Sequence, residues 1–140
     1  DKMTSKGIEI EMERKWPRGF EIRLAHTWQR SSDDMRRDNA VNSPRTLSKL
    51  NFGFPVAREA LSGGLEAQCE SSRRTLAGDR AAGFCLANLT LVSRDLVKGL
   101  QISASAYNLL DKRYYVNADG NNNISPGFPR TVRIGLTARW

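Results

Sequence analysis

Apolar and polar residues alternate with a period of two along most of the chain, which predicts β-strands and not helices. In the first such run, Ile8, Ile10 and Met12 alternate with Glu9 and Glu11. Most runs are 9–12 residues long, which matches the roughly 9–11 residues of a membrane-spanning strand. The seven candidate strands are Gly7–Trp16, Phe20–Gln29, Leu47–Val56, Leu65–Glu70, Gly83–Arg94, Leu100–Tyr107 and Thr131–Trp140. The predicted fold is all-β, an antiparallel meander of about seven long strands.

The connections between these strands alternate in length, which favours a membrane barrel over a soluble sandwich. Pro17–Gly19, Ala57–Ala60 and Asp95–Lys98 are short, whereas Ser32–Arg45 and Val116–Arg130 are long. The connection around Ala77–Ala82 is intermediate. Outer-membrane barrels have short periplasmic turns and longer outer loops. The long connections are therefore expected at the outer end of the strands.

The aromatic residues provide an independent test, because nine of the eleven lie near one of two levels along the strands. Amphipathic rings prefer the depth of the lipid headgroups, so a barrel is expected to carry two aromatic girdles. One predicted level holds Trp16, Phe20, Phe52, Phe54 and Trp140; the other holds Trp28, Phe84, Tyr114 and Tyr115.

Charged residues occupy the polar side of several strands, as Glu13, Arg23 and Arg133 illustrate. Such a face fits a wide lumen that is wet or plugged, with Glu and Arg pairing across strands. An open sheet of seven strands leaves two unpaired edges, which lipid does not tolerate. The chain is therefore expected to be part of a larger barrel, and its net charge of +7 then describes one wall and its rims.

The sequence offers no catalytic, metal or cofactor site. His26 is the only histidine, and its alternation with Leu24 and Trp28 favours an interfacial side chain over a ligand. The hydrolase pattern Gly-x-Ser-x-Gly is missing. The segment from Asp119 to Asn123 has the spacing of a calcium loop, but Ile124 replaces the required Gly, and the final Glu is lacking. We expect a protein that is not an enzyme.

Cys69 and Cys85 lie on the apolar sides of neighbouring candidate strands. A register in which paired residue numbers sum to 154 places them opposite each other, whereas a shift by one pair places Cys69 against Ala87. The sequence does not decide between these registers. Two free thiols that face lipid are the preferred expectation, and a disulfide requires α-carbons closer than about 7 Å.

The segment Tyr107–Tyr114 resembles the penultimate-strand signature of TonB-dependent outer-membrane receptors, whose core reads Asn-Leu-Phe-Asp-Lys-x-Tyr. Leu110 stands where that family usually has Phe. The matching residues are Tyr107, Asn108, Leu109, Asp111, Lys112 and Tyr114.

Further segments resemble the same family in the same order. Pro126 and Gly127 resemble a Pro-Gly-Arg turn, with Phe128 in place of Arg. Val132–Trp140 is similar to the terminal strand, whose last aromatic residue is the signal for the barrel-assembly machinery. Asn42–Arg45 resembles an Asn-x-Pro segment that leads into a strand.

The resemblance implies a barrel of 22 strands with an N-terminal plug, of which residues 1–140 are the C-terminal portion, without the plug and the earlier strands. It implies uptake of a scarce nutrient such as an iron–siderophore complex, energised by TonB through the missing N-terminal region. The implied location is the outer membrane of a Gram-negative bacterium, in contact with lipid and lipopolysaccharide. Candidate ligand-facing loop residues are Arg36, Arg37, Asp119, Asn121, Asn122 and Asn123.

Two other functions are weighed against this one. A small, complete barrel with a structural or adhesive role would need another strand within Asp1–Lys6, which is too short. A basic β domain that binds nucleic acid fits the positive charge. However, Arg and Glu are interspersed on the same faces, and no basic-aromatic platform is present. We therefore expect no nucleic-acid partner.

Overall fold

The structure, a computed structural model, describes residues 3–33, 38–39, 41–57, 60–75, 78–93, 99–119 and 123–139. The described residues form twelve β-strands and no helix. The strands are β1 (Met3–Lys15), β2 (Glu21–Asp33), β3 (Asp38–Asn39), β4 (Thr46–Ala57), β5 (Leu61–Glu70), β6 (Arg73–Arg74), β7 (Arg80–Ala81), β8 (Phe84–Ser93), β9 (Leu100–Tyr107), β10 (Tyr115–Asp119), β11 (Asn123–Pro126) and β12 (Thr131–Ala138).

No helix in the described part of the chain is long and apolar enough to cross a membrane.

Seven long strands form one antiparallel sheet in the order β1-β2-β4-β5-β8-β9-β12, with β3 paired to β2. The predicted meander is therefore confirmed. The strands β1 and β2 each span 13 residues and extend beyond their predicted bounds. The hairpins β6–β7 and β10–β11 form separate two-stranded sheets. The five short strands lie in the long connections, and the alternation of the sequence did not predict them.

The two ends of the sheet differ in their connections. Residues 16–20, 58–60 and 94–99 connect strands at one end, called here the short-turn end. Residues 34–45, 71–83 and 108–130 connect strands at the other, called the long-loop end. The predicted sorting of connections by length is thus present in the structure.

The register places apolar side chains on one face across neighbouring strands. One row joins Ile10, His26, Ser48, Cys69 and Cys85. Because side chains alternate between faces along a strand, the residues at every second position share this face, called here the apolar face. Most charged residues lie in between, on the opposite, polar face; Lys6, Arg14 and Arg30, near the strand ends, are on the apolar face.

The sheet has no hydrophobic core of its own. Ala81 and Phe84 are the buried hydrophobic residues of the described chain, and no large side chain in it is fully buried. By contrast, Ile10, Val132 and Ile134 are 64%, 68% and 72% exposed. A continuous apolar face of this kind is not stable in water, and it marks a surface that contacts lipid or a partner. A barrel wall that faces lipid has this arrangement.

The polar face carries paired charges at the short-turn end, as predicted. Lys15 Nζ lies 2.9 Å from Glu13 Oε1, and Arg23 lies 3.4 Å from the same carboxylate oxygen across the β1–β2 pair. Lys15 is also 3.9 Å from Glu21. These side chains remain exposed, so the pairs contribute little to stability.

The aromatic levels are partly as predicted. At the short-turn end, Phe20 stacks on Phe52 with ring centroids 6.3 Å apart, and Phe52 stacks on Phe54 at 5.5 Å. At the long-loop end, Trp28 is on the apolar face and about half exposed. Phe84 differs from the expectation, because it lies on the polar face beside Glu70 and is buried. It belongs to the packing of the loops and not to a girdle.

The expectation of two free thiols is wrong. Cys69 and Cys85 form a disulfide, with α-carbons 4.1 Å apart. They are directly paired in the β5–β8 register, which is the register whose residue numbers sum to 154. A direct cross-strand pair on one face brings the two side chains within bonding reach. The bridge closes the base of the connection formed by residues 71–83.

Candidate functional site

In the described chain, four of the five buried polar or charged residues lie toward the long-loop end, namely Ser31, Arg73, Thr75 and Asn108. The connection 108–130 begins there at Asn108. This residue is 3% exposed, and its φ of +51° lies in the left-handed region. Asn tolerates this left-handed conformation better than most residues. Its Oδ1 accepts a hydrogen bond from Lys112 N at 2.9 Å, and its Nδ2 donates to the carbonyls of Lys112 and Phe128, each at 3.0 Å. One amide therefore joins both ends of the connection.

The neighbours of Asn108 strengthen this turn. Asp111 also has a φ of +51°, and its Oδ1 accepts a hydrogen bond from Arg130 N at 3.2 Å. Leu109 N donates to Ala87 O at 2.8 Å, and Asn108 N donates to the side-chain Oδ1 of Asn88 at 2.9 Å. The turn is thus bonded to β8 as well as to the segment that returns into β12.

The rest of the signature closes the same connection. The Tyr114 ring packs against Phe84 with centroids 4.5 Å apart, and Gly127 N donates to Tyr114 O at 2.7 Å. A side chain at Gly127 would collide with the Tyr114 ring. Pro126 pairs with Tyr115, and Tyr107 pairs with Thr131. The structure therefore brings the residues of the sequence signature together around one turn, where they order the chain.

A second cluster joins two long connections. Arg73 is 8% exposed and forms an ion pair with Glu70. Its Nη2 also donates to the carbonyls of Tyr115 and Val116, at 2.5 and 2.6 Å. Arg73, Glu70 and these two carbonyls are called here the Arg73 cluster. It bonds the connection 71–83 to the start of the β10–β11 hairpin, across more than 40 residues of sequence.

Hydrogen bonds also link the connections 34–45 and 71–83. Asn42 N donates to Arg74 O at 2.9 Å. The Ser71 hydroxyl accepts hydrogen bonds from Arg45 N and Thr46 N, at 2.9 and 3.1 Å. All three long connections are therefore linked at this end of the sheet, with the connection 71–83 bonded to each of the other two.

A cleft of about 610 Å³ lies among these connections. Its volume falls in the range of about 300–1,000 Å³ that is usual for ligand sites. Among the described residues, four arginines line it and no acidic residue does; the remaining described lining residues are small or polar, apart from Trp28. This basic cleft is the candidate binding site, and its arginines are Arg45, Arg73, Arg74 and Arg80. Guanidinium groups bind phosphate and carboxylate groups through paired hydrogen bonds.

Sequence reasoning missed this cleft. The adjacent Arg73 and Arg74, followed by Arg80, are visible in the sequence, but the short strands that bring them together have no periodicity. Arg74 and Arg80 are paired in the β6–β7 hairpin, so this hairpin brings them together. Only the fold brings Arg45 to them from another connection.

Several candidate residues from the sequence cannot be placed. Arg36, Arg37, Asn121, Asn122 and Trp140 lie outside the described residues. Asp119 and Asn123 are paired where β10 ends and β11 begins, so they flank the turn of a hairpin. Within the described ranges, no group of three or more His, Cys, Asp and Glu side chains could hold a metal ion. His26 shares a hydrogen bond with Ser48, with Nδ1 and Oγ 2.8 Å apart, on the apolar face.

Comparisons with known proteins identify the fold. No family model and no curated protein matches the sequence. Among solved structures, one similar protein is FpvA of P. aeruginosa, in an iron complex with a heterologous pyoverdine. It superimposes with a TM-score of 0.81 at 20% sequence identity, and the match covers 97% of this chain and 19% of that chain. The ferric-catecholate import receptor Fiu of E. coli K12 gives 0.80 at 19% identity, over 97% and 21% of the two chains. The chain has the fold of a TonB-dependent receptor barrel segment.

A copper transporter shares the same fold, so the likeness does not single out one nutrient. OprC superimposes with a TM-score of 0.80 at 15% identity, over 99% of this chain and 24% of that chain. The barrel segment thus spans about a fifth of the length of the structures it matches.

The faces of such a barrel segment are not equivalent, because one contacts lipid and the other the lumen. In this chain, the exposed aliphatic residues Ile10, Val132 and Ile134 share the apolar face, and most of the charged strand residues lie on the other. The basic cleft lies at the long-loop end, where Trp28 and Thr46 of the apolar face form part of its lining.

Proposed function

We propose that the chain is the C-terminal part of the β-barrel of a TonB-dependent receptor in the outer membrane of a Gram-negative bacterium. The observation that carries the proposal is the seven-stranded meander with one exposed apolar face and one charged face. In water such a sheet would aggregate through that face, whereas in a barrel wall the face contacts lipid. The superposition on outer-membrane receptors supports the same placement.

The receptor would import a scarce nutrient, such as an iron–siderophore complex. The names of the similar structures support a transport role: one is a receptor in complex with ferric pyoverdine, one is a ferric-catecholate import receptor, and one is a copper transporter. Transport of this kind requires no covalent chemistry by the protein, so the proposed receptor is not an enzyme. The ligand-facing residues proposed from the sequence are Arg36, Arg37, Asp119, Asn121, Asn122 and Asn123.

The partners of the receptor follow from this proposal. TonB would act through an N-terminal plug region outside this chain. The barrel-assembly machinery would read the terminal strand and Trp140. The apolar face of the sheet would contact outer-membrane lipid and lipopolysaccharide, because no protein element in the described chain covers it.

The proposal is tested in the bacterium that carries the gene. Deletion of the gene should abolish uptake of one nutrient under limitation, and its restoration should rescue uptake only when TonB is present. Fractionation should recover the receptor from the outer membrane. The proposed function would be contradicted if deletion left nutrient uptake unchanged under every limitation tested. It would also be contradicted if the receptor were recovered from the soluble fraction.

A further inference from the structure

The walls of the basic cleft come from two of the long connections. Apart from Trp28 and Thr46, which belong to β2 and β4, its described lining residues lie in the connections 34–45 and 71–83. Outer-membrane barrels have their long loops at the outer surface, so the cleft is expected at the outer rim. Its volume of about 610 Å³ suits an organic ligand, because sites for drug-sized molecules measure about 300–1,000 Å³.

One buried hydrogen-bond donor at this cleft has no partner. Arg73 is 8% exposed and lines the cleft. Its terminal nitrogens are bonded to Glu70 and to the carbonyls of Tyr115 and Val116, but its Nε has no hydrogen-bond partner in the described chain. A buried donor without a partner costs free energy. An acceptor atom of a ligand in the cleft would complete the hydrogen bonds of this guanidinium.

The positive charge of the cleft is not neutralised within the described part of the chain. Arg45 and Arg80 are exposed, and neither forms an ion pair with a described residue. Asp79 lies in the same connection as Arg80 but is not among the described residues that line the cleft. Such a cleft attracts anions and repels cations.

We infer that the nutrient is an organic polyanion, a metal chelate whose charged oxygen atoms bind in the basic cleft, and that it is not a bare metal cation. Its carboxylate or phenolate oxygens would accept hydrogen bonds from Arg45, Arg80 and the Nε of Arg73. Its apolar part would lie on the indole ring of Trp28, which is 48% exposed. A bare divalent cation would meet only positive charge there.

The inference rests on the proposed function, because it names the class of nutrient for the same receptor. The similar structures do not single out one nutrient, and the charge of the cleft narrows the choice. Because the cleft lies among the long connections, it is a site of first capture at the outer surface and not a part of the passage through the lumen.

The test measures binding to the purified full-length receptor in detergent by isothermal titration calorimetry. The anionic probes are the iron(III) complexes of citrate, of a tricatecholate and of a carboxylate-bearing hydroxamate; the other probes are a neutral iron(III) trihydroxamate and Cu²⁺. At least one anionic chelate should bind more tightly than the neutral chelate and Cu²⁺, and its affinity should fall with added salt. Tightest binding of the neutral chelate or of Cu²⁺, or no binding of any anionic chelate, would overturn the inference.

The variant Arg45→Gln/Arg80→Gln tests the cleft itself. It removes two charges but keeps the backbone hydrogen bonds of Arg45 to Ser71 and Gln29. It should bind the anionic chelate about tenfold less tightly, which corresponds to about 1.4 kcal/mol. Urea unfolding checks that the variant is folded. If the double variant is unstable, Arg45→Gln and Arg80→Gln are measured singly, and each should still weaken binding.

The matched control is Arg18→Gln/Arg139→Gln, which removes the same charge from exposed residues at the short-turn end and should bind like the native receptor. Equal affinity of the two double variants for the anionic chelate would overturn the inference. Nutrient uptake is measured in parallel. TonB-dependent uptake of a neutral or cationic nutrient would refute this inference alone, whereas failure to reach the outer membrane would refute the proposed function.

Discussion

The two ends of the sheet are ordered by different means. At the short-turn end, backbone hydrogen bonds between Trp16 and Phe20 and between Gly19 and Trp16 close the first turn, and the ion pairs nearby are exposed. At the long-loop end, Asn108 and Arg73 are buried, and both bond to distant segments. Long connections lose more entropy on ordering than short turns. They therefore need more side-chain contacts than the short turns, where the buried hydroxyl of Ser93 accepts one hydrogen bond, from Ile102 N at 2.9 Å.

The largest effect is expected from Glu70→Ala. This change leaves the guanidinium of Arg73 buried without its carboxylate partner, and breaking a buried pair in this way costs about 3–5 kcal/mol. Urea unfolding of the purified receptor in detergent measures the loss. Glu66→Ala is the matched control on the same strand, because Glu66 is exposed and accepts a long hydrogen bond of 3.3 Å from Asn88. Equal losses for the two variants would contradict the importance of the Arg73 cluster.

A somewhat smaller loss is expected from Asn108→Ala. The variant removes three side-chain hydrogen bonds at a site with positive φ, which should lower the free energy of unfolding by about 3 kcal/mol. Asn108→Asp should recover part of this loss, because it keeps the acceptor for Lys112 N. The control is Asn51→Ala on the exposed polar face of β4. If Asn108→Ala unfolds at the same urea concentration as this control, the hydrogen bonds of Asn108 do not stabilise the folded receptor.

The disulfide should contribute less than either of these side chains. Replacing both cysteines, in Cys69→Ser/Cys85→Ser, removes a bridge between residues 16 apart and should cost about 2–3 kcal/mol through the entropy of the unfolded chain. Thermal unfolding with and without reductant measures the cost. Reductant should destabilise the native receptor and leave the double variant unchanged. A native receptor that is insensitive to full reduction would contradict this prediction.

The smallest effect is expected at the short-turn end. Arg23→Gln breaks the 3.4 Å pair with Glu13, whose side chains are both largely exposed. Exposed pairs contribute little and are screened by salt, so the unfolding midpoint should stay within error of the native receptor at moderate salt. A loss of unfolding free energy as large as that of Glu70→Ala would show that side-chain contacts stabilise the two ends of the sheet equally.

The alternation of apolar and polar residues predicted the seven long strands. It could do so because neighbouring residues in a strand lie on opposite faces of the sheet, and this pattern is visible in the local sequence. It predicted the four apolar residues of β12, Val132 to Ala138, on one face, and the structure confirms this. It could not decide the Cys69–Cys85 bridge, because a shift of one pair changes the partner of Cys69. That register is fixed by the whole β5–β8 ladder.

The arrangement of the long-loop end could not be predicted from the sequence. The two-residue strands β3, β6 and β7 are too short for a periodic signal. The contact of Arg73 with the carbonyls of Tyr115 and Val116 joins segments more than 40 residues apart, and nothing local to either segment encodes it. The family resemblance located the signature Tyr107–Tyr114 in the sequence. The hydrogen bonds of Asn108 also join distant segments, so only the structure shows them.

The central claim is that the apolar face of the sheet contacts lipid and the polar face does not. A spin label at Ile134→Cys tests it directly, with Arg133→Cys as its neighbour on the opposite face of β12. In receptor reconstituted into lipid vesicles, the label at 134 should be relaxed by oxygen, which partitions into lipid, and the label at 133 by a water-soluble nickel complex. Relaxation of the label at 134 by the nickel complex, with none by oxygen, would contradict the account.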